Sequence, residues 1–345
     1  MSRRTLTLLL ATLLAVGLTA GAVQARVPYV ALGPGPTYNT LGEVGGTPVI
    51  AIEGRQTFPT DGRLDLTTVG VQSQLTLVEA LRGWFARDLA VVPREVVYPP
   101  GRTDAQVEEK NTELMRASQG SATAAAARQL GFRVAEVTVA EATPGAPAVG
   151  LLETGDVLTS LDGTMLRDAA ELRSLIAAKQ VGDTVRVGFV RGGRPGTVAI
   201  KTGASGGDGP SRPVIGVMTQ EKPVDAPFEV TISLQDVGGP SAGLLFTLGI
   251  LDKLGQPSLT GGKYIAGTGE ISADGTVGAI GGITQKLIAA KAKGVEAFLV
   301  PADNCAEAAR QPPVDLPLLK VATLSDALTG LEALREGGQP VLCTS

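Results

Sequence analysis

Histidine is absent from this sequence of 345 residues, and cysteine occurs only twice. Without an imidazole, the Ser-His-Asp and Cys-His hydrolase mechanisms are excluded, and so are metal sites that require histidine. Any nucleophilic chemistry must take its base from a lysine, an aspartate, a glutamate or an N-terminal amine. The cysteines, Cys305 and Cys343, match no CxxC pattern and are too few for a structural zinc site. We therefore predict no metal and no cofactor.

Aromatic residues make up only 3% of the chain, and acidic residues slightly outnumber basic ones, which gives a net charge of −4. This charge argues against a broad nucleic-acid-binding surface. Apolar residues account for 43% of the sequence, with 45 glycines and 22 prolines. Such a composition is typical of a turn-rich globular protein, and the length suits about two or three domains.

A long uncharged run at residues 5–25 follows Arg3 and Arg4. Its length suits a signal peptide or one membrane span of about 20 residues. The small residues at 23–25 favour cleavage, whereas the length of the run favours an uncut anchor, which we predict over residues 1–27. With either outcome, the paired arginines keep the N-terminus in the cytoplasm and the rest of the chain outside. In that oxidising compartment the two cysteines are expected to pair as a disulfide.

The rest of the chain divides by its composition. Residues 28–119 contain short strand-like runs and helices predicted at 75–85 and 103–116. No catalytic signal stands out in this region, and we interpret it as a mixed structural module. The glycine, serine and proline residues at 203–212 are typical of a linker, which would lead to a final unit at 213–345.

The middle region, residues 120–202, contains a β-rich segment, the motif GDVLTSLDG, an amphipathic helix at 168–179 and a hairpin around RGG. This order resembles a PDZ domain of bacterial type. The resemblance implies β-augmentation, in which an extended peptide adds to an exposed strand edge. It places Leu130, Gly131 and Phe132 in the carboxylate-binding loop and in the strand that follows. The alternative is a domain that only spaces two others.

Ser241 lies in the glycine-rich motif GGPSAG, between a predicted strand at 227–234 and a predicted helix at 242–254. The glycines leave room for a substrate carbonyl, and the free N–H groups at a helix start can stabilise an oxyanion. Serine is also a common helix cap, so this motif by itself leaves cap and nucleophile equally open.

Lys286 lies one turn into a helix predicted at 283–293, among apolar residues and without an acidic residue within four positions. Apolar surroundings lower the pKa of a lysine, and a lysine that acts as a general base requires that shift. The alternative is a lysine that extends from the helix edge into solvent, which explains Lys291 and Lys293 better.

The motifs GPSAG and TGEI-x(5)-V-x-x-IGG-x(3)-K-x-x-AA, in this order, resemble the proteolytic domain of Lon proteases. The resemblance implies that Ser241 is the nucleophile, Lys286 the base and Thr268 the hydroxyl that orients the amine. Family members often have Asp before GPSAG, where this chain has Gly238, and Asp236 is the nearest acidic residue.

No phosphate-binding GxxxxGK[ST] motif occurs, because Lys263 is followed by Tyr264. We therefore expect no nucleotide, and we interpret Lys263 as unrelated to the site. The combination resembles the secreted or anchored PDZ Lon-like proteases of bacteria, which work without ATP.

These observations predict an α+β protein that acts as an extracytoplasmic serine endopeptidase on protein or peptide substrates. The resemblance also suggests a ring of identical subunits. One alternative is a non-catalytic PDZ adaptor whose Lon-like domain only assembles, and another is a signal-sensing protease with a single client. We also expect the PDZ-like region to select C-terminal tails and deliver them to the proteolytic unit.

Overall fold

The structure, a computed structural model, describes residues 3–205, 211–234, 237–310 and 316–344. Its helices are α1 (Arg3–Gln24), α2 (Leu77–Phe85), α3 (Arg94–Val97), α4 (Asp104–Gln129), α5 (Ala169–Ala177), α6 (Gly243–Leu254), α7 (Ile283–Ala292), α8 (Cys305–Arg310) and α9 (Leu324–Glu336). Its strands are β1 (Tyr29–Asn39), β2 (Glu43–Val44), β3 (Thr47–Pro48), β4 (Ile50–Glu53), β5 (Arg63–Gln72), β6 (Ala90–Pro93), β7 (Ala135–Ala142), β8 (Val157–Leu161), β9 (Thr164–Met165), β10 (Thr184–Arg191), β11 (Arg194–Lys201), β12 (Gly203–Ala204), β13 (Pro213–Val214), β14 (Val217–Pro223), β15 (Glu229–Ile232), β16 (Tyr264–Gly267), β17 (Glu270–Ile271), β18 (Val277–Gly278), β19 (Ala297–Pro301) and β20 (Leu318–Val321).

The larger unit is built on a mixed sheet with the strand order β20-β19-β16-β5-β1-β6. The strands β5, β16, β19 and β20 are parallel, whereas β1 is antiparallel to both of its neighbours. Helices cover both faces, so β19 is an unbroken apolar run. Leu299 packs in the core with α6 and α9, and its neighbours Phe298 and Val300 pack in the core with α7 and α8.

The region at 28–119 is not a separate module, because it supplies β1, β5 and β6 to this sheet. Asp65 of β5 pairs with Ala266 of β16 across about 200 residues of chain. The sequence pattern of each strand is local and does not show its partner, which explains why the prediction treated this region as independent. Residues 28–119 instead supply half of the strands of the sheet beneath the candidate site.

The predicted boundary between residues 119 and 120 falls inside α4, which contains nearly all of the helix predicted at 103–116 and continues without interruption to Gln129. Thr103 caps α4, since its hydroxyl accepts from the N–H of Gln106 and the Gln106 side chain accepts from the N–H of Thr103. The alanine-rich second half of α4 packs closely against α6, and Ala122 and Ala126 are fully buried there. The helix therefore belongs to the core of the larger unit.

A smaller unit is inserted between α4 and β15. Its sheet has the strand order β11-β10-β8-β7-β14, with α5 packed against it, and its core is separate from that of the larger unit. Ile215 belongs to this core, so the smaller unit extends past residue 202. At the start of the predicted linker at 203–212, β12 pairs antiparallel with β13, which follows the linker. Residues 206–210 of that linker lie outside the described residues.

The apolar N-terminal run forms α1. Within the described parts of the chain, no helix is both long enough and apolar enough to cross a membrane. At the other end of the chain, the Sγ atoms of Cys305 and Cys343 form a disulfide bond.

Candidate active site

Ser241 lies in the turn that leads into α6, and its hydroxyl does not cap that helix. Ala242 occupies the cap position and makes no side-chain hydrogen bond there. The hydroxyl of Ser241 instead accepts a hydrogen bond from Nζ of Lys286 at 2.9 Å. Of the two interpretations that the sequence left open, the geometry favours a reactive hydroxyl over a cap.

Lys286 is carried by the first turn of α7 and is almost fully buried, with 2% of its surface exposed. Burial among apolar side chains disfavours the charged amine and lowers the pKa of Lys286 from 10.5 to about 8. Ile283 and Leu287 of the same helix lie in the core that surrounds it. A substantial fraction of the amine is therefore neutral near pH 8 and able to accept a proton.

Thr268 follows β16 and joins the serine to the lysine. Its hydroxyl accepts from Nζ of Lys286 at 2.8 Å and donates to the carbonyl oxygen of Ser241 at 3.0 Å. The N–H of Gly269 donates to the same carbonyl at 2.9 Å. Since Thr268 is fully buried, these contacts determine both the orientation of the amine and the position of the serine backbone.

The glycines of both motifs allow close approaches that a side chain would block. Gly239 has a φ of +85°, which turns the chain into Pro240 and Ser241. Gly282, which precedes α7, has a φ of +70°, and a Cβ atom there would lie 2.7 Å from Val69 of β5. Because Gly282 has no side chain, α7 can begin in contact with the central sheet.

Helix α4 holds the serine loop from the other side, which the sequence analysis missed. The N–H of Gly239 donates to the carbonyl of Asn111 at 3.0 Å. Oγ of Ser118 donates to the carbonyl oxygen of Pro240 at 2.9 Å. Ser118 is buried in the structure. In the sequence, the only local signal of this role is a serine in the middle of a helix.

Ser118→Ala should lower kcat about fivefold without a comparable change in KM, because one neutral hydrogen bond contributes about 1 kcal/mol. The loss would come from a looser position of the Ser241 backbone, and kinetics on an unfolded protein substrate measure it. Thr123→Ala is the matched control, since within the described part of the chain that hydroxyl bonds only to the Gln119 carbonyl of its own helix. Equal effects of the two changes would show that Ser118 does not position the serine.

A cleft of about 460 Å³ opens in front of Ser241 and Lys286. One wall comes from β5, at residues 66–71, and the other comes from the serine loop and the turn before α7. Strand β16 pairs with β5 only as far as Leu66, so beyond it this edge of β5 has no strand partner among the described residues. An extended peptide could therefore add to that edge and bring its backbone to the serine.

A second groove of about 590 Å³ continues this cleft across the first half of α4. The two share Val71, Val237 and Gly238 in their linings. Together they form a path long enough for several residues of an extended chain. No catalytic signal is evident in the sequence at 28–119, yet this region contributes much of the path.

The amide N–H groups of Ser241 and Ala242 precede α6, and neither donates to a carbonyl within the described part of the chain. They are therefore available for an oxyanion. Lys263 lies elsewhere, near Glu296 at 4.0 Å, in keeping with its interpretation as unrelated to the site. Asp236, the candidate acidic residue, falls outside the described residues. No cluster of metal-binding side chains occurs among those that are described.

The predicted carboxylate-binding residues serve a different purpose in the structure. The N–H groups of Leu130, Gly131 and Phe132 donate to carbonyls of α4 and complete its C-terminal cap. The Phe132 ring packs against Phe228 at a centroid distance of 6.2 Å, in the core of the larger unit. These three amides are therefore already used and do not form an open loop.

The strand that follows, β7, is also already paired. Strand β14 lies antiparallel along β7 from Ala135 to Ala142, on the side opposite β8. The carboxylate of Glu221 in β14 accepts a hydrogen bond from the N–H of Ala169, at the start of α5. The chain's own strand thus occupies the edge at which the sequence analysis expected a client peptide.

Comparisons with known proteins match these two units. Residues 106–202 match the PDZ domain model, and residues 235–329 match the model of the Lon protease (S16) C-terminal proteolytic domain. These matches confirm the resemblance inferred from the sequence and identify a serine-protease domain and a PDZ module in one chain.

Individual relatives match shorter stretches. The mitochondrial Lon protease homolog of Mus musculus is 46% identical over 67 residues, which are 19% of this chain and 7% of that protein. The periplasmic pH-dependent serine endoprotease DegQ of Escherichia coli is 43% identical over 58 residues, 16% of this chain and 13% of that protein. The chain thus covers only a small part of either relative. A PDZ domain of an SdrC-like protein from Listeria monocytogenes is 31% identical, covering 24% of this chain and 86% of that domain, with a TM-score of 0.23.

Proposed function

We propose that this PDZ-containing Lon-like protease is an ATP-independent endopeptidase that uses Ser241 and Lys286 as a catalytic dyad. The observation that carries the proposal is the contact of 2.9 Å between Nζ of Lys286 and Oγ of Ser241. Burial of a lysine costs stability, and strongly perturbed groups in a cleft are typical of catalytic sites, so the burial of Lys286 favours an enzyme over a non-catalytic adaptor.

In the proposed reaction, the neutral amine of Lys286 takes the proton from Ser241 as Oγ attacks the substrate carbonyl. Thr268 holds the amine during this transfer, and the N–H groups of Ser241 and Ala242 stabilise the oxyanion. The protonated lysine then gives its proton to the leaving amine, which breaks the peptide bond. Water hydrolyses the acyl-enzyme by the same steps in reverse, with Lys286 again as the base.

Independence from ATP is part of the proposal. The sequence has no phosphate-binding GxxxxGK[ST] motif, and the dyad requires no nucleotide for its chemistry. We also propose an extracytoplasmic location. The arginine pair and the uncharged run at the N-terminus support it, and so does the disulfide between Cys305 and Cys343, because such bonds persist in oxidising compartments.

For the PDZ module we propose a role in binding substrate peptides, on the condition that β14 leaves the edge of β7. Along the chain, β14 is followed by β15 and then by the loop that contains Ser241, so an exchange of β14 for a client peptide would act on a segment close in sequence to that loop. We also propose, from the family resemblance, that identical subunits assemble into a ring.

The proposal is tested by incubating the purified full-length protein with unfolded casein, in the absence and presence of ATP with magnesium. We expect internal cleavage into peptides at the same rate in both conditions, because no step of the reaction uses nucleotide. Ser241→Ala is the control for contaminating proteases and should leave casein intact. Cleavage by that variant, or cleavage only with ATP, would contradict the proposal.

A further inference from the structure

The outward face of α2 is unusually apolar for a protein surface. Leu77, Leu81, Trp84 and Phe85 fall on one side of the helix, and Phe85 is 88% exposed. A contiguous apolar patch with two aromatic rings is costly in water and marks an interaction surface. None of these residues lines the candidate active site.

This apolar face is held rigidly. On the opposite side of α2, Ala80 is buried, and Gly83 lies close to Val91 of β6, where a Cβ atom would approach to 2.6 Å. The rings of Trp84 and Tyr29 of β1 pack edge to face, with centroids 5.6 Å apart. The helix therefore presents the patch in a fixed orientation at the β6 end of the large sheet.

The end of helix α1 lies next to the start of α2. The N–H of Leu77 donates to the Ala25 carbonyl at 3.0 Å, and the N–H of Val27 donates to the Leu75 carbonyl at 2.9 Å, so the end of α1 is tied to the start of α2. Helix α1 carries no charge after Arg4. Among the side chains of α1 that the structure describes, the leucines at positions 9, 10, 13 and 14 are exposed. The apolar helix α1 therefore leads directly into the start of the helix that carries this face.

We propose that the apolar face of α2 lies in the headgroup region of a lipid bilayer. Tryptophan is favoured in that region because its ring is apolar and its N–H is polar. The neighbouring Arg26, Arg82 and Arg87 outnumber Glu79 and Asp88 and suit anionic headgroups. The end of α1, which carries no charge after Arg4, adjoins the start of α2. In this orientation the β6 edge of the large sheet faces the bilayer and the β20 edge faces away from it.

Trp84 is the only tryptophan in the chain, so its fluorescence reports on this face alone. The full-length protein is reconstituted in vesicles of phosphatidylcholine and phosphatidylglycerol whose acyl chains are either plain or brominated. We expect brominated lipid to quench Trp84, most strongly when the bromine lies near the headgroup end of the chain. Iodide in the aqueous phase should quench it less in vesicles than in the unfolded protein.

Trp84→Phe combined with Met165→Trp is the matched control, because Met165 is a largely exposed apolar residue of the PDZ sheet. This control should be quenched by iodide and not by brominated lipid. Leu81→Ser with Phe85→Ser should reduce the lipid quenching of Trp84.

Full access of iodide to Trp84 without quenching by brominated lipid would overturn the proposal. A blue shift that depends on protein concentration in the absence of lipid would also overturn it, since it would indicate a second copy of the chain. Casein cleavage is measured separately, so failure here is distinguishable from failure of the protease proposal.

Discussion

Lys286→Arg should abolish casein cleavage as completely as Ser241→Ala, with a loss in kcat/KM of about 10³-fold or more for each. A guanidinium does not give up its proton in the accessible pH range, so it cannot serve as the base. The wild-type rate should rise with pH through an apparent pKa of about 8, because only the neutral amine of Lys286 can accept the serine proton. Initial rates from pH 6 to pH 10 measure both effects.

Lys286→Met separates loss of the base from loss of the fold. The folded-state pKa of Lys286 lies below its unfolded value of about 10.4, so between about pH 8 and pH 10.4 the unfolded chain binds more protons. The stability of the wild type should therefore rise with pH in this window. At pH 7 the methionine variant, which buries no charge, should be inactive and more stable by up to roughly 3 kcal/mol.

Two results would contradict the dyad. Cleavage by Lys286→Arg at a rate near that of the wild type, with Ser241→Ala inactive, would mean that another group is the base. A loss of stability in Lys286→Met at pH 7 would mean that burial of the amine does not destabilise the wild-type protein. Lys263→Ala serves as a lysine control, since it changes a lysine away from the cleft and should retain activity.

Reduction of the disulfide between Cys305 and Cys343 should lower the free energy of unfolding by about 4 kcal/mol, from the entropy of a closed span of 38 residues. Cys305 begins α8 and packs in the same core as Ile283 and Leu287 of the helix that carries Lys286. Loss of the bond should therefore lower the temperature at which activity disappears, with a smaller effect on kcat at 25 °C.

Urea unfolding with and without a reductant measures this effect, and Cys305→Ser with Cys343→Ser serves as the control. The double variant should unfold at the midpoint of the reduced wild type and should not respond to reductant. Two free thiols in the denatured, unreduced protein, or an unchanged midpoint after reduction, would rule out a stabilising bond.

Several elements follow from the sequence because their signals are local. The helices predicted at 75–85, 168–179, 242–254 and 283–293 match α2, α5, α6 and α7 to within about two residues at each end. Each has an apolar stripe and a clear start or stop, and such features depend only on residues a few positions apart.

Elements defined by distant contacts were not predictable in this way. Ser118 and Pro240 are 122 residues apart, and Thr67 and Gly267 are 200 apart, yet each pair is joined by a hydrogen bond. The pairing of β14 with β7 and the insertion of the PDZ unit after α4 likewise depend on contacts between segments that are distant in sequence. No periodic pattern within one segment shows which distant segment it contacts.

By itself, the sequence determined which chemical groups are available to this protein: a serine and a lysine in two glycine-rich motifs, and no histidine. These groups follow from residue type and short spacing. Only the tertiary structure decided that Lys286 is buried, that its amine lies 2.9 Å from Ser241, and that β5 and α4 form the path to them. The pKa of a lysine depends on how much water surrounds it, and packing between distant segments removes that water.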